Sequence, residues 1–197
     1  MPGVFVGNNV KIGDNCLIYP NVTLYDDTQI GNNVTIHANS VLGSDAFYFK
    51  RRLDKLEKLE SCGNVVIEDD VEIGANCTVD RGASASTIIG KGTKIDNLVH
   101  IGHDTAIGKN CTIAAQVGVA GVVTIGDNVI LWGQVGVAND VKIADNVEIY
   151  AQSGVGKDLE SGKVYFGSPA SEAREKFKEL AYLKKLPSFI ENIKNNT

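Results

Sequence analysis

Two histidines three positions apart, His100 and His103, lie in the segment IDNLVHIGHD, which also carries Asp96 and Asp104. Imidazole titrates near neutrality, so such a ring can take a proton from an attacking nucleophile and return it to a leaving group. His103 is the better candidate general base, because a carboxylate such as Asp96 or Asp104 would fix its tautomer and raise its basicity. His37 has no such company and reads as structural. His100 and His103 alone are too few for a closed zinc site, and Cys62 has no CxxC partner, so no metal centre or disulfide framework is expected.

The pieces AQVGVAG, GQVGVAN and AQSGVGK repeat at a spacing of eighteen residues. If that spacing is one coil of a solenoid, the sequence folds into columns. One column is Leu98, Gln116, Gln134, Gln152; a second is His100, Gly118, Gly136, Gly154; a third is His103, Gly121, Asn139, Lys157. Glycines running away from a histidine leave a shallow trough suited to a long, thin ligand. Glutamine ladders and corner glycines also stabilise stacked coils, so each column has a structural reading as well.

The frame that would position these columns is written in the aliphatics, which recur every sixth residue. Val6, Ile12, Ile18, Leu24, Ile30, Ile36 and Leu42 begin the series, Ile67, Ile73 and Val79 resume it, and it runs unbroken from Ile89 to Val155. Neither a helix nor a simple sheet has a period of six. The chain is therefore expected to be all-β, a parallel β-helix of hexapeptide repeats with three hexads per coil. Gly7, Gly13, Gly31 and Gly43 are expected at corners needing positive φ, with Asn8, Asn9, Asn15, Asn32 and Asn33 in similar places. Cys16, Cys77 and Cys111 take slots otherwise filled by valine and read as small core residues.

Periodicity stops at residues 44–66, a charged and aromatic excursion, and slips again at RGASAST before Ile89. The predicted organisation is a solenoid over 1–166 with the inserted loop 44–66, followed by a C-terminal helical extension over 167–197 that is amphipathic and interrupted at Pro187. The net charge of −5 argues against a nonspecific nucleic-acid surface. Neither a signal peptide nor a membrane span is read, and a cytoplasmic location is the default.

The segments IYPNVTLYDDTQIGNNVTIHANSVLGSDAF, VVIEDDVEIGANCTVDRGA, IDNLVHIGHD, AAQVGVAG and YFGSPA together resemble the bacterial UDP-3-O-(3-hydroxyacyl)glucosamine N-acyltransferases of lipid A synthesis. The resemblance implies a left-handed β-helix and a homotrimer with active sites between subunits. It implies transfer of a 3-hydroxyacyl chain from the phosphopantetheine arm of acyl carrier protein to the amine of a UDP-glucosamine derivative, with no permanently bound cofactor.

The family's catalytic histidine falls on His103 and its supporting aspartate on Asp96. Its donor- or substrate-holding glutamine is replaced by His100, and a second histidine near its groove is replaced by Asp140. Gln116, Gly118, Gly121, Gln134, Gly136 and Gly154 are the implied donor and substrate contacts, with the oxyanion donor at Gly121 or its neighbours. Where the family can close the far end of its acyl channel with a side chain, this sequence has Gly154, which offers none, so a long 3-hydroxyacyl chain is expected. Arg174, Lys176, Lys178, Lys184 and Lys185 are candidates to meet the carrier protein. The family's N-terminal uridine-gripping domain has no counterpart in the sequence, which opens almost at the first coil. An acetyl-CoA-dependent sugar acetyltransferase and a catalytically silent trimeric scaffold are the competing readings.

Overall fold

The computed structural model describes residues 1–195 as a prism of short parallel strands followed by one helix. Successive hexads contribute strands to three faces in turn. The first face holds eight strands, from Phe5–Val6 through Thr78–Asp80, His100–Ile101, Gly118–Val119 and Gly136–Val137 to Gly154–Val155. The second holds seven and the third nine, the last two of which, Val164–Phe166 and Ser171–Glu172, pair antiparallel. Strand partners are one coil apart, as in His100 opposite Gly118 and Gly118 opposite Gly136, so the columns read from the sequence are physical rows.

The period of six follows from side-chain direction. In each hexad an aliphatic at the second strand position points inward, and four residues later a smaller one joins it. Leu24, Ile36, Ile73, Ile101, Ile113, Leu131 and Ile149 are fully buried along the axis, with Val71, Cys77, Val99, Cys111 and Val129 beside them. Each coil packs only on its neighbours, so the core is a continuous column.

The corner glycines depart from expectation. Among Gly7, Gly13, Gly31 and Gly43, only Gly43 has positive φ (92°). Asn9, Asn15 and Asn33 are left-handed as expected, with Asn39, Asn110 and Asn128 in equivalent places, and the carboxamides of Asn15 and Asn128 donate to Asn33 and Asn146 of the next coil. Gly7, Gly13 and Gly31 are small for another reason: a Cβ on any of them would approach the next coil to within 2.4–2.6 Å. Asn8 and Asn32 are outside the left-handed region and hydrogen-bond the carboxylates of Asp26 and Asp69.

The inserted segment is not a plain loop. Phe49–Arg51 and Leu56–Lys58 form an antiparallel hairpin, tied down by an ion pair between Lys58 and Asp45 and by Ser61 Oγ, which accepts the Ala46 N–H at 3.0 Å. The helix spans Ala173–Asn195 and runs through Pro187, where an interruption was expected. Proline removes one backbone donor, which an exposed helix tolerates by leaving a carbonyl to water. The predicted extension also includes residues 196–197, which lie outside the described residues. None of the described helices is long and apolar enough to cross a membrane.

Candidate active site

His103 sits at the corner where the strand His100–Ile101 turns from the first face to the second, and its side chain is only 13% exposed. Its Nδ1 lies 2.8 Å from Asp104 Oδ2. Asp104 itself accepts the N–H groups of Ala83 at 2.9 Å, Ser84 at 3.3 Å and Ala85 at 2.9 Å. Burial alone would raise the Asp104 carboxyl, but the hydrogen bond with His103 and the three backbone donors outweigh it and hold the carboxyl below its usual range. An anionic Asp104 is a fitting acceptor for an Nδ1–H, and in that tautomer of the neutral imidazole Nε2 carries the lone pair that can take a proton.

The RGASAST segment thus acquires a role invisible in the sequence, because its turn aims consecutive amides at one carboxylate. Arg81 pins that segment to an earlier coil by donating to the Asp26 carbonyl at 2.6 Å.

The imidazole lies against Gly121, where a Cβ would stand 2.6 Å from His103 Nε2. Glycine is therefore required for the ring to keep its place. The N–H groups of Ala120 and Val122 are taken by Val137 and His103, whereas the N–H of Gly121 makes no hydrogen bond among the described residues. Val122 holds a left-handed φ of 62°, which a β-branched residue rarely adopts, so the turn presenting Gly121 is strained.

A cavity of about 360 Å³ opens here, lined by Phe47, Tyr48, Asp80, Gly102, His103 and Gly121 among others. The inserted hairpin forms part of its wall, with the Tyr48 ring centroid 5.5 Å from that of His103. Composition flagged the excursion as functional in kind, but nothing in sequence spacing aligns Tyr48 with His103.

The glycine column is uneven. A Cβ on Gly118 or Gly136 would meet nothing within 4 Å, so both glycines border open space. At Gly154 it would meet Ser168 Oγ at 2.8 Å, which places the GSPA turn over the end of the row. The glutamine column is a ladder in which Gln134 donates to Gln116 at 2.7 Å and Gln152 donates to Gln134 at 2.9 Å. Its residues hold left-handed φ, so this column has a corner-building role.

Asp96 does not reach His103 within this chain. It lies at the opposite corner of the coil, where its carboxylate accepts the N–H of Asn97 at 2.7 Å, and the carboxylate that holds His103 is Asp104. Asp96 instead lines a separate cleft of about 690 Å³ with His37, Glu72, Lys94 and Trp132. The reason is geometric: seven residues carry the chain across a whole face of the prism. His37 stacks on Tyr19 at 4.7 Å and faces Glu72 at 3.2 Å, in keeping with a structural role. His100 is half exposed, its Nδ1 2.8 Å from Thr78 Oγ1.

The bacterial transferase hexapeptide model of six repeats matches residues 9–44, 86–121 and 123–157, more than half of the chain, and a succinyltransferase hexapeptide model matches 64–97. The chain belongs to the bacterial transferase hexapeptide family. Its solenoid is accordingly the left-handed β-helix of that family. Among curated hexapeptide proteins it is similar to the UDP-3-O-acylglucosamine N-acyltransferase of Wolinella succinogenes, 52% identical over 91 residues, covering 46% of this chain and 29% of that protein. The protein of the same name from Polynucleobacter asymbioticus is 46% identical over 104 residues, covering 51% of this chain and 29% of that one. The chain thus matches under a third of the length of these relatives.

Among solved hexapeptide structures, the UDP-N-acetylglucosamine acyltransferase of Francisella novicida superposes with a TM-score of 0.73 at 26% identity, covering 91% of this chain and 72% of that one. The corresponding enzyme of Campylobacter jejuni gives the same TM-score at 24% identity, covering 86% and 69%, and shares the fold.

Proposed function

We propose that this chain is an acyltransferase that moves a 3-hydroxyacyl group from acyl carrier protein to the amine of a UDP-glucosamine derivative in lipid A synthesis. The observation that carries this reading is the junction at His103: a base held by Asp104, a Gly121 N–H beside it with no partner among the described residues, and the open Gly118 and Gly136 row leading away.

In this mechanism the acyl thioester lies along the glycine row with its carbonyl oxygen at the Gly121 N–H. The sugar nitrogen attacks the carbonyl carbon as His103 Nε2 takes a proton, and the Gly121 amide stabilises the oxyanion. Collapse of the intermediate breaks the carbon–sulfur bond, and the imidazolium returns its proton to the departing thiolate. No acyl-enzyme forms.

The relatives named for N-acylation of an acylglucosamine, and their identity across the repeats, favour an amine acceptor over a hydroxyl. We assign Gln116, Gln134 and His100 to the rim of the donor path and the carrier protein to the basic terminal helix. A homotrimer in the cytoplasm completes the proposal. Phe177, Leu180, Leu183, Leu186 and Ile190 are exposed along the helix and would be covered between copies. Asp96 then takes part only if a neighbouring subunit brings it to another chain's His103.

The test is incubation of the purified protein with UDP-3-O-acylglucosamine and either 3-hydroxyacyl carrier protein or acetyl-CoA, with product mass and particle mass both recorded. Amide formation from the carrier-bound donor by a trimer is expected. Exclusive use of acetyl-CoA, or transfer by a strict monomer, overturns the donor or the assembly.

A further inference from the structure

Asp80 is a carboxylate that neither the fold nor the His103 machinery explains. It ends the strand Thr78–Asp80 at a register shift, pairs across to Ser44, and is 7% exposed. Ser44 Oγ donates to its Oδ1 at 2.8 Å. Among the described residues its Oδ2 has only His100 Nε2, at 3.8 Å, beyond hydrogen-bonding range. Asp104, one coil on, collects three amides and an imidazole, whereas the Asp80 side chain, 9% exposed against 14%, receives one hydroxyl. Arg81, the adjacent cation, is turned away to the Asp26 carbonyl.

Asp80 also lines the same cavity as His103, Gly121 and Tyr48. Gly102 lines it as well, and a Cβ there would press on the backbone of Gly121 at 2.6 Å. Burial pushes the Asp80 carboxyl above its ordinary range, opposed by the Ser44 hydrogen bond and by His100 and His103, and reinforced by Asp45. A desolvated, under-coordinated carboxylate costs stability unless a cation completes it.

We propose that Asp80 is the ammonium-binding group of the site, receiving the protonated amine of the acceptor and taking one of its protons before His103 takes the second. The proposal rests on the acyl-transfer reading above and adds the origin of its preference for an amine. At neutral pH an amino sugar arrives largely as an ammonium ion, which has no lone pair for attack. Transfer of one proton to Asp80 leaves a neutral amine and a carboxylic acid in contact. The nitrogen–carbon bond then forms as His103 removes the next proton, the carbon–sulfur bond breaks, the thiolate is protonated by the imidazolium, and Asp80 loses its proton to water. A hydroxyl acceptor carries no charge and gains nothing from Asp80.

The experiment is calorimetric binding of UDP-3-O-acylglucosamine and of its analogue with a hydroxyl in place of the amine, to the wild type and to Asp80→Asn, alongside the transfer rate and the melting temperature. The wild type should bind the amine about tenfold or more tightly than the hydroxyl analogue, the scale of one charge-assisted contact. Asp80→Asn should erase that preference, leave the hydroxyl analogue's affinity as it was, and melt no lower than the wild type, since it removes a carboxylate whose burial is unfavourable. Ser44→Ala, which leaves the carboxylate in place but loosens it, should weaken the preference partially and serves if Asp80→Asn does not fold.

An amine preference that survives Asp80→Asn, or its absence from the wild type, overturns the assignment, as does failure of the wild type to bind either sugar. Amine preference lost in Asp80→Asn without any acyl transfer by the wild type would support Asp80 and overturn the transfer reading. Normal transfer with Asp80→Asn unchanged would do the reverse.

Discussion

His103 Nδ1 stands 2.8 Å from Asp104 Oδ2, and that same carboxylate gathers the amides of Ala83, Ser84 and Ala85. Two consequences follow for substitution. His103→Ala should slow the chemical step by about 10²-fold or more with the fold intact, the usual scale for a lost acid–base group. Asp104→Asn should also lower kcat, and because Asn offers a single acceptor oxygen to these donors it should destabilise by about 1–3 kcal/mol. Asp96→Asn should leave the isolated chain's stability near that of the wild type. Single-turnover rates and urea unfolding of the three variants decide it, and full activity in His103→Ala would remove the base.

The acid limb of stability should carry the mark of Asp104. Its folded carboxyl lies below the unfolded value, so its contribution is present above the unfolded value of 3.8 and is lost as pH falls through the folded value. Melting temperatures from neutrality down to about pH 2.5 should therefore fall less steeply below about pH 4 for Asp104→Asn than for the wild type. Parallel curves would show that Asp104 is not ionised in the way its partners require.

Val122 pays for its position in backbone strain, with φ at 62° beside the Gly121 amide. Val122→Asn should relieve about 1 kcal/mol, because Asn tolerates the left-handed region far better. Transfer should meanwhile slow, since the strained turn aims the Gly121 N–H. A variant that is both more stable and equally active would mean that the strain has no catalytic use.

The end of the glycine row should govern acyl length. Ser168 Oγ lies 2.8 Å from the Cβ position of Gly154, so Gly154→Met must displace that turn or fill the row, and it should shift preference to shorter 3-hydroxyacyl chains. Ser168→Gly should extend it. Each methylene is worth about 0.8 kcal/mol, or roughly a fourfold change in kcat/KM. The series of carrier-bound donors reads this directly, and a profile identical in all three proteins would take both residues off the acyl path.

The solenoid is legible because its core repeats: Ile101, Ile113 and Leu131 are placed by a period that neither a helix nor a simple sheet has, and the columns of Gly118, Gly136 and Gly154 follow from it. His103 is legible as the candidate base, by residue type and by resemblance. What escaped was everything that depends on how far the chain travels between neighbours. Asp96 and Asp104 share one short segment with His103, yet Asp96 lies a full face away and Asp104 meets the imidazole. The amides of Ala83 and Ala85 and the ring of Tyr48 arrive from irregular segments, where no period predicts position. Gly7 and Gly31 suggest a torsion-angle requirement in the sequence, whereas their constraint in the fold is the backbone and carboxylates of the adjacent coil.

Because Gly118, Gly136 and Gly154 occupy successive rungs in register, the row has a natural unit of length. Neighbouring strands in a sheet lie about 4.8 Å apart, so duplicating eighteen residues between Gly136 and Gly154 would lengthen the row by about that amount without altering any corner. Side-chain substitution tunes reach continuously, methylene by methylene. Coil duplication would change it in whole steps, and the architecture is thereby a vernier with two scales, one chemical and one topological.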